Sequence, residues 1–147
     1  MHNKHVVFIL LVLSVIVISL GACNVSNDFS VDVFDGSPAD SDGVGCFFSE
    51  EGTPEKQLFA SGLDNCAYIS INHKLCKFEQ DTTTKTEVSK NSADISDVFR
   101  NKDYTLILDL KEAENIDTQV GYKGTMTVQD NKTGKKVVKK VSGGCGC

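Results

Sequence analysis

The chain has 147 residues, 40% of them apolar and 24% charged, with 15 Lys and Arg against 20 Asp and Glu for a net charge of −5. This length supports one domain with a real core, and the acidic lean excludes the basic surface that a nucleic-acid binder needs. Six cysteines in so short a chain point to covalent fastening or ligation.

Residues 1–5 form a polar head with Lys4 as its one firm charge, and residues 6–20 are apolar apart from Ser14 and Ser19. A helix needs about 20 apolar residues to cross a bilayer core, so a run of this length fits the apolar region of a signal peptide. It ends in Leu20-Gly21-Ala22-Cys23, which looks like a lipobox, the site where bacterial lipoprotein processing acylates a cysteine and cleaves before it. Residues 1–22 are therefore expected to be a lipoprotein signal peptide, and Cys23 the lipidated first residue of the exported chain. An ordinary secretory signal cleaved near Gly21 or Ala22 is the rival reading, and an uncleaved anchor the third. Each buried methylene contributes about 0.8 kcal/mol, so two or three acyl chains hold a protein at a membrane stably where one does not. Asn24 is not the aspartate that retains enterobacterial lipoproteins at the inner membrane, so the expected location is the outer membrane of a cell envelope, on its periplasmic or its surface face.

From residue 24 to 45 the chain carries Asp28, Asp32, Asp35, Asp40 and Asp42 and no Lys or Arg. Ser, Gly and Asn dominate the remainder, so residues 23–45 read as an acidic flexible tether. The segment from Pro38 to Gly43 invites a calcium-loop reading, but taking Gly43 as the loop glycine puts Pro38 at the first ligand position and Ser49 at the twelfth, where a glutamate belongs.

Beyond residue 45 the apolar period is mostly two, which predicts an all-β domain over residues 46–147, a small antiparallel barrel or sandwich of about seven or eight strands. Strands are expected at 45–49 and 56–61, with a turn between them at Gly52 and Pro54. Residues 66–71 alternate with Ala67, Ile69 and Ile71 on one face, turn at 72–74 and return over 75–78, where Leu75 competes with Cys76 or Phe78 for the inner face. Residues 79–102 read as a polar excursion with a strand at 84–88 and a helical turn at 95–99. Residues 104–110 alternate cleanly, 111–118 read as an acidic loop, 120–129 as a strand with Tyr122, Gly124, Met126 and Val128 inward, and 135–141 as the last strand after a turn at 130–134. Gly124 within a strand suits a bend in a curved sheet. Lys132, Lys135, Lys136, Lys139 and Lys140 read as lysines guarding a sheet edge or as a patch for an acidic partner.

Assigning Cys23 to lipid leaves Cys46, Cys66, Cys76, Cys145 and Cys147, an odd set. Export implies an oxidising compartment and disulfides. The expected bridge joins Cys46 to Cys145 or Cys147 and ties the ends of the domain together; Cys66 with Cys76 is a second candidate, although these two do not stand opposite each other in the hairpin. The final Gly-Cys-Gly-Cys also reads as a flexible two-thiolate clamp for Cu(I), with Cys46 as a third ligand.

Catalytic constellations are absent from the sequence. His73 is the only histidine after the signal region and falls in a predicted turn, Glu50-Glu51 and Glu112 with Glu114 lie in predicted loops, and no metalloprotease, phosphate-loop or nucleophile-elbow motif occurs. The expectation is a non-enzyme with no resident cofactor.

Two resemblances follow from these residues. The lipobox, the linker, the Gly45-Cys46 strand, the hairpin Ala67-Tyr68-Ile69-Ser70-Ile71-Asn72 and the terminal Gly-Cys-Gly-Cys resemble small lipoproteins of Bacteroidota-type bacteria, a group that brings no activity with it. Residues 67–78 and Tyr122-Lys123-Gly124 are similar to the hairpin and lysine-glycine strand of the membrane-bound inhibitors of C-type lysozyme, though no serine-glycine-x-x-tyrosine loop precedes Tyr104. The second resemblance implies a lipid-anchored eight-stranded barrel, a first-strand cysteine bridged near the C-terminus, and a partner contact through Lys123. Three functions are therefore carried forward: an envelope lipoprotein with a binding or structural β domain, a lysozyme-inhibitor-like lipoprotein, and a copper-handling lipoprotein using Cys145 and Cys147.

Overall fold

The computed structural model describes residues 28–36, 45–62, 64–83, 94–116 and 119–146, and for 114–116 and 119 the backbone only. Among the described residues nine strands run in chain order: β1 (Val31–Asp32), β2 (Gly45–Glu50), β3 (Gln57–Ser61), β4 (Cys66–Ile71), β5 (Lys74–Gln80), β6 (Ile95–Arg100), β7 (Tyr104–Ile116), β8 (Gln119–Asp130) and β9 (Lys136–Gly146). All pairings are antiparallel, and no helix occurs among the described residues.

Strands β2 to β9 close on themselves in the order β2-β9-β8-β7-β6-β5-β4-β3, and β1 adds to β4 at Ser70 and Ile71, beyond the residues that pair with β3. The result is an eight-stranded antiparallel barrel with one extra strand, which resolves the choice between barrel and sandwich. Closure removes the sheet edges that an open sheet would expose. Eight strands also leave an interior that side chains can fill, and here Phe48, Phe59, Phe78, Ile69, Leu106, Leu110, Met126, Val128 and Val141 fill it.

Register explains who points inward. Ile69 stands opposite Cys76 and Ala67 opposite Phe78, so Cys76 and Phe78 share the inner face while Leu75 stays half exposed outside. On β3, Phe59 faces Phe48 while Gln57 faces Ser49, which leaves Leu58 as the extra residue of a β-bulge. The bulge lets Leu58 and Phe59 both enter the core. Two glycines set how closely strands approach: a Cβ on Gly124 would collide with the Asp109 carbonyl, and one on Gly143 with the Phe47 carbonyl and the Phe48 ring.

Several expectations are corrected. Residues 95–99 form strand rather than a helical turn, because Ile95 and Phe99 pack into the core with Asp97 between them on the same face and pair along β7. Residues 111–116 continue β7 as a two-stranded ribbon with β8, with a bulge between Glu112 and Asn115, instead of forming a loop. The glycine-rich C-terminal stretch is not a loose tail. It extends β9 to Gly146, held between β2 and β8. The predicted strand at 84–88 and the calcium-loop segment lie outside the described residues.

The stretch expected to be tether also differs. Residues 28–36 lie across the barrel end that carries the turns at 51–56, 72–73, 101–103 and 131–135, hereafter the turn end. Val31 pairs with Ile71, and the Phe34 amide donates to the Gln57 carbonyl at 3.1 Å. Phe29 and Val31 are buried, and the Phe29 ring sits 5.2 Å from that of Tyr104. Two apolar side chains in a polar run are enough to plug the barrel.

Candidate functional site

The two ends of the barrel are built differently. At the turn end the plug grips the β4–β5 hairpin, whose central residues Asn72 and His73 both take positive φ, 49° and 62°, as a two-residue primed turn requires. Asn72 Oδ1 accepts the Ser30 amide at 2.9 Å, the Asn72 amide donates to the Ser30 carbonyl, and the His73 amide donates to Asp32 Oδ2 at 2.7 Å. Partial burial alone would raise Asp32. The His73 amide, the Ser30 hydroxyl and the charges of His73 and Lys139 outweigh it and hold the carboxyl below its ordinary range. His73, the lone histidine of the domain, is thus an exposed turn residue 3.6 Å from that carboxylate.

The basic strand is a mixed case. Over 141–146 β9 is interior to the sheet, but Lys136 to Lys139 pair with β8 alone, so lysines do guard an open edge there. Beside it Glu50, Glu51, Thr53, Val138, Lys139 and Lys140 line a shallow groove of about 430 Å³. Lys139 lies 3.6 Å from Glu50, which also pairs with Lys56. Glu50 therefore belongs to an ion-pair cluster that braces the rim of the barrel. Lys135 pairs with Asp28 at 2.7 Å, tying the plug to the β8–β9 turn.

The opposite end holds the disulfide. Cys46 on β2 and Cys145 on β9 stand directly opposite, both toward the interior, and are bonded. This is one of the two pairings left open for Cys46. Cys145 is therefore not available as a thiolate in this state, which removes half of the expected copper clamp; Cys147 lies outside the described residues, as does Cys23. Cys66 and Cys76 are free thiols. Their bridge is not formed, because Cys66 stands opposite Glu79 on the outer face while Cys76 stands opposite Ile69 on the inner one. Burial first, and the adjacent Asp64 second, push the Cys66 thiol up, away from nucleophilic use. Lys77 stacks 5.7 Å from the Tyr68 ring centroid beside it and is held protonated, chiefly by the Tyr68 hydroxyl and then by Cys66.

Polar side chains also occupy inward positions. Asp97 shares the inner face with Ile95 and Phe99, and burial pushes its carboxyl up against the opposing hydrogen bond from Gln80. Tyr122 stands opposite Glu112 and edge-on to Phe48, its phenol raised by burial and then by the Glu112 charge. Sequence reading placed Tyr122 inward and gave Asp97 no role; the only signal for Asp97 was a charged residue between Ile95 and Phe99 at period two. Glu112 sits in strand, not loop, and the side chain of Glu114 is not described. Glu112 and Tyr122 pair where β7 and β8 run on past the end of β6, and polar groups at the mouth of a barrel are where small ligands or partner loops commonly enter.

On the outer wall nearest this mouth, Lys123 is exposed and stands directly opposite Lys111, with no ion pair to either among the described residues. Like charges so placed repel, so an anionic group brought to this spot would relieve the strain. Compared with known protein families, curated proteins and solved structures, the chain finds no match.

Proposed function

We propose that the chain is a lipid-anchored lipoprotein of the bacterial cell envelope, held at the outer membrane through Cys23, whose barrel is a non-catalytic binding module. The disulfide between Cys46 and Cys145 carries this reading furthest, since such bonds persist in exported proteins and are rare in the cytosol. It agrees with an N-terminal sequence that directs export and acylation. The closed barrel supports the binding role: residues 28–36 cover one end, and Glu112 and Tyr122 stand side by side where β7 and β8 run on past β6. The test is mass spectrometry of the N-terminal peptide from a membrane fraction. A diacylglyceryl group on an N-terminal Cys23 is expected, and an unmodified or uncleaved N-terminus overturns the proposal.

A second reading, inhibition of a C-type lysozyme, gains from one feature. Eight strands with a first-strand cysteine bridged to the last strand are what that resemblance implies. Lys123, exposed near the polar mouth, remains the contact to test. Adding the oxidised domain to a lysozyme lysis assay should slow lysis, and Lys123→Glu should restore it; unchanged lysis rejects the reading.

A further inference from the structure

Residues 28–36 sit on the barrel in the manner of a bound peptide. Strands β2 to β9 complete their ring without them, and β1 joins only at Ser70 and Ile71 of β4. We propose that the turn end is a recognition groove for an extended acidic segment of a partner polypeptide, and that residues 28–36 occupy it as a built-in ligand which the partner displaces. The inference is independent of acylation at Cys23. Strand addition draws affinity from main-chain hydrogen bonds and specificity from alternate side chains, and both are present. The Asn72 amide donates to the Ser30 carbonyl at 3.1 Å, the Ser30 amide donates to Asn72 Oδ1, and the Phe34 amide donates to the Gln57 carbonyl. Phe29 and Val31, two residues apart, are 8% and 6% exposed, the first against Tyr104 and the second opposite Ile71. The alternate residues Ser30 and Asp32 turn to the hairpin, where Asp32 Oδ2 accepts the His73 amide at 2.7 Å.

Charge selects the kind of partner. Residues 28–36 carry Asp28, Asp32 and Asp35 and no Lys or Arg. The seat complements them: Lys135 lies 2.7 Å from Asp28, and His73 Nδ1 lies 3.6 Å from Asp32 Oδ2, on which the Lys139 charge also acts. The four turns by themselves hold Lys56, Lys102, Lys132 and Lys135 against Glu51, Glu55 and Asp103, so the acidity of this end comes from the segment and not from its seat. One flank of the seat is open. A cleft of about 290 Å³ lined by Asp28, Phe29, Lys135, Lys136 and Val137 lies beside Phe29, which lets a competing chain enter next to the segment it replaces. The partner is therefore an extended stretch with an aromatic and a β-branched residue two apart and an acid after them, the pattern of Phe29-Ser30-Val31-Asp32.

The test uses the full chain with a site-specific protease sequence inserted after Ala39, between the segment and β2. After cutting, a fluorescein-labelled peptide of residues 28–36 should exchange into the groove, read by fluorescence anisotropy, while the barrel keeps its circular dichroism. The uncut chain should bind the same peptide roughly tenfold or more weakly, because a tethered competitor acts at an effective concentration on the order of millimolar. A peptide carrying Phe29→Ala should bind the cut chain roughly a hundredfold more weakly than the native peptide, and one carrying Asp32→Ala roughly tenfold. The uncut chain should remain monomeric in size-exclusion chromatography with light scattering. A barrel that unfolds on cutting shows the segment to be part of the fold and overturns the proposal. A folded barrel that takes up no peptide, or takes up the alanine peptides equally well, does the same. A reciprocal dimer of the uncut chain gives the groove to a second copy and overturns the partner.

Discussion

Opening the Cys46–Cys145 bond tests how the barrel is held shut. The bond joins positions 99 residues apart, and closing a loop of about 100 residues in the unfolded chain is worth up to roughly 4.7 kcal/mol in the chain-entropy account, with about 2–5 kcal/mol typical of small exported domains. The folded barrel gives little back when the bond opens, because β2 and β9 stay paired from Gly45 opposite Gly146 to Glu50 opposite Val141. The effect therefore falls on the unfolded ensemble. A domain of about 120 residues loses near 0.25 kcal/mol per degree around its midpoint, so 2–4.7 kcal/mol corresponds to a drop of roughly 8–19 °C in Tm. The assay is thermal unfolding by circular dichroism, oxidised against reduced, alongside the double variant Cys46→Ala/Cys145→Ala. The variant should melt lower still by about a further 1 kcal/mol, since it also removes two inward sulfurs from the core. A reduced protein melting within about 4 °C of the oxidised one would refute this account and place closure in the strand pairing alone.

Three further outcomes are expected. Gly143→Ala should cost at least about 3 kcal/mol or prevent folding, because the new Cβ meets the Phe47 carbonyl and the Phe48 ring; Gly52→Ala, with open space around it but a φ of +81°, should cost only about 1 kcal/mol by chemical denaturation. Phe29→Ala should destabilise the domain by about 3–5 kcal/mol and expose residues 28–36 to protease, whereas a free tether would leave the denaturation midpoint unmoved. Asp32→Ala should cost about 1–3 kcal/mol at neutral pH through the His73 amide it leaves unpaired. Because folding lowers the Asp32 pKa, its stabilisation is fully present above the ordinary carboxylate range and is lost as pH falls through the depressed value. Melting curves of wild type and variant should begin to converge as pH falls below about 4 and meet only below the depressed value, and a gap that persists into strong acid counts against the carboxylate.

Much of this barrel could be read where one face of a strand is buried and the other wet. The alternations at 66–71 and 104–110 gave strands at those positions with the inward residues correctly placed, since burial on one side forces period two on the sequence. The misses share a cause. In 111–116 the strand outruns β6 and pairs with β8 alone, and Lys111, Glu112 and Ala113 are exposed, so this stretch looks like loop. In 143–146 the alternation is hidden by glycines, the first of which, Gly143, has no room for a side chain against the Phe47 carbonyl and the Phe48 ring. The plug was missed for a third reason: Phe29 and Val31 become core only against Tyr104 and Ile71, far along the chain, and no local pattern announces a contact of that kind. Asp97 belongs with these, because a polar group on an inner face contradicts the rule that located the face.

Strand parity, more than spacing or redox state, decides what each described cysteine can do. A cross-link within a barrel needs two residues on neighbouring strands, near register, and on the same face. Cys46 and Cys145 satisfy all three conditions on β2 and β9. Cys76 points inward on β5, where its sheet neighbours β4 and β6 carry no inward cysteine. Cys66 points outward on β4, where the adjacent β3 and β5 carry no outward cysteine. An oxidising compartment can therefore close the first pair and leave the other two as thiols without any reductant or ligand to protect them. The same parity weighs on the copper reading. Cys145 turns toward β2 and the core, so freeing it for metal would mean opening the bond that joins the first and last strands of the barrel.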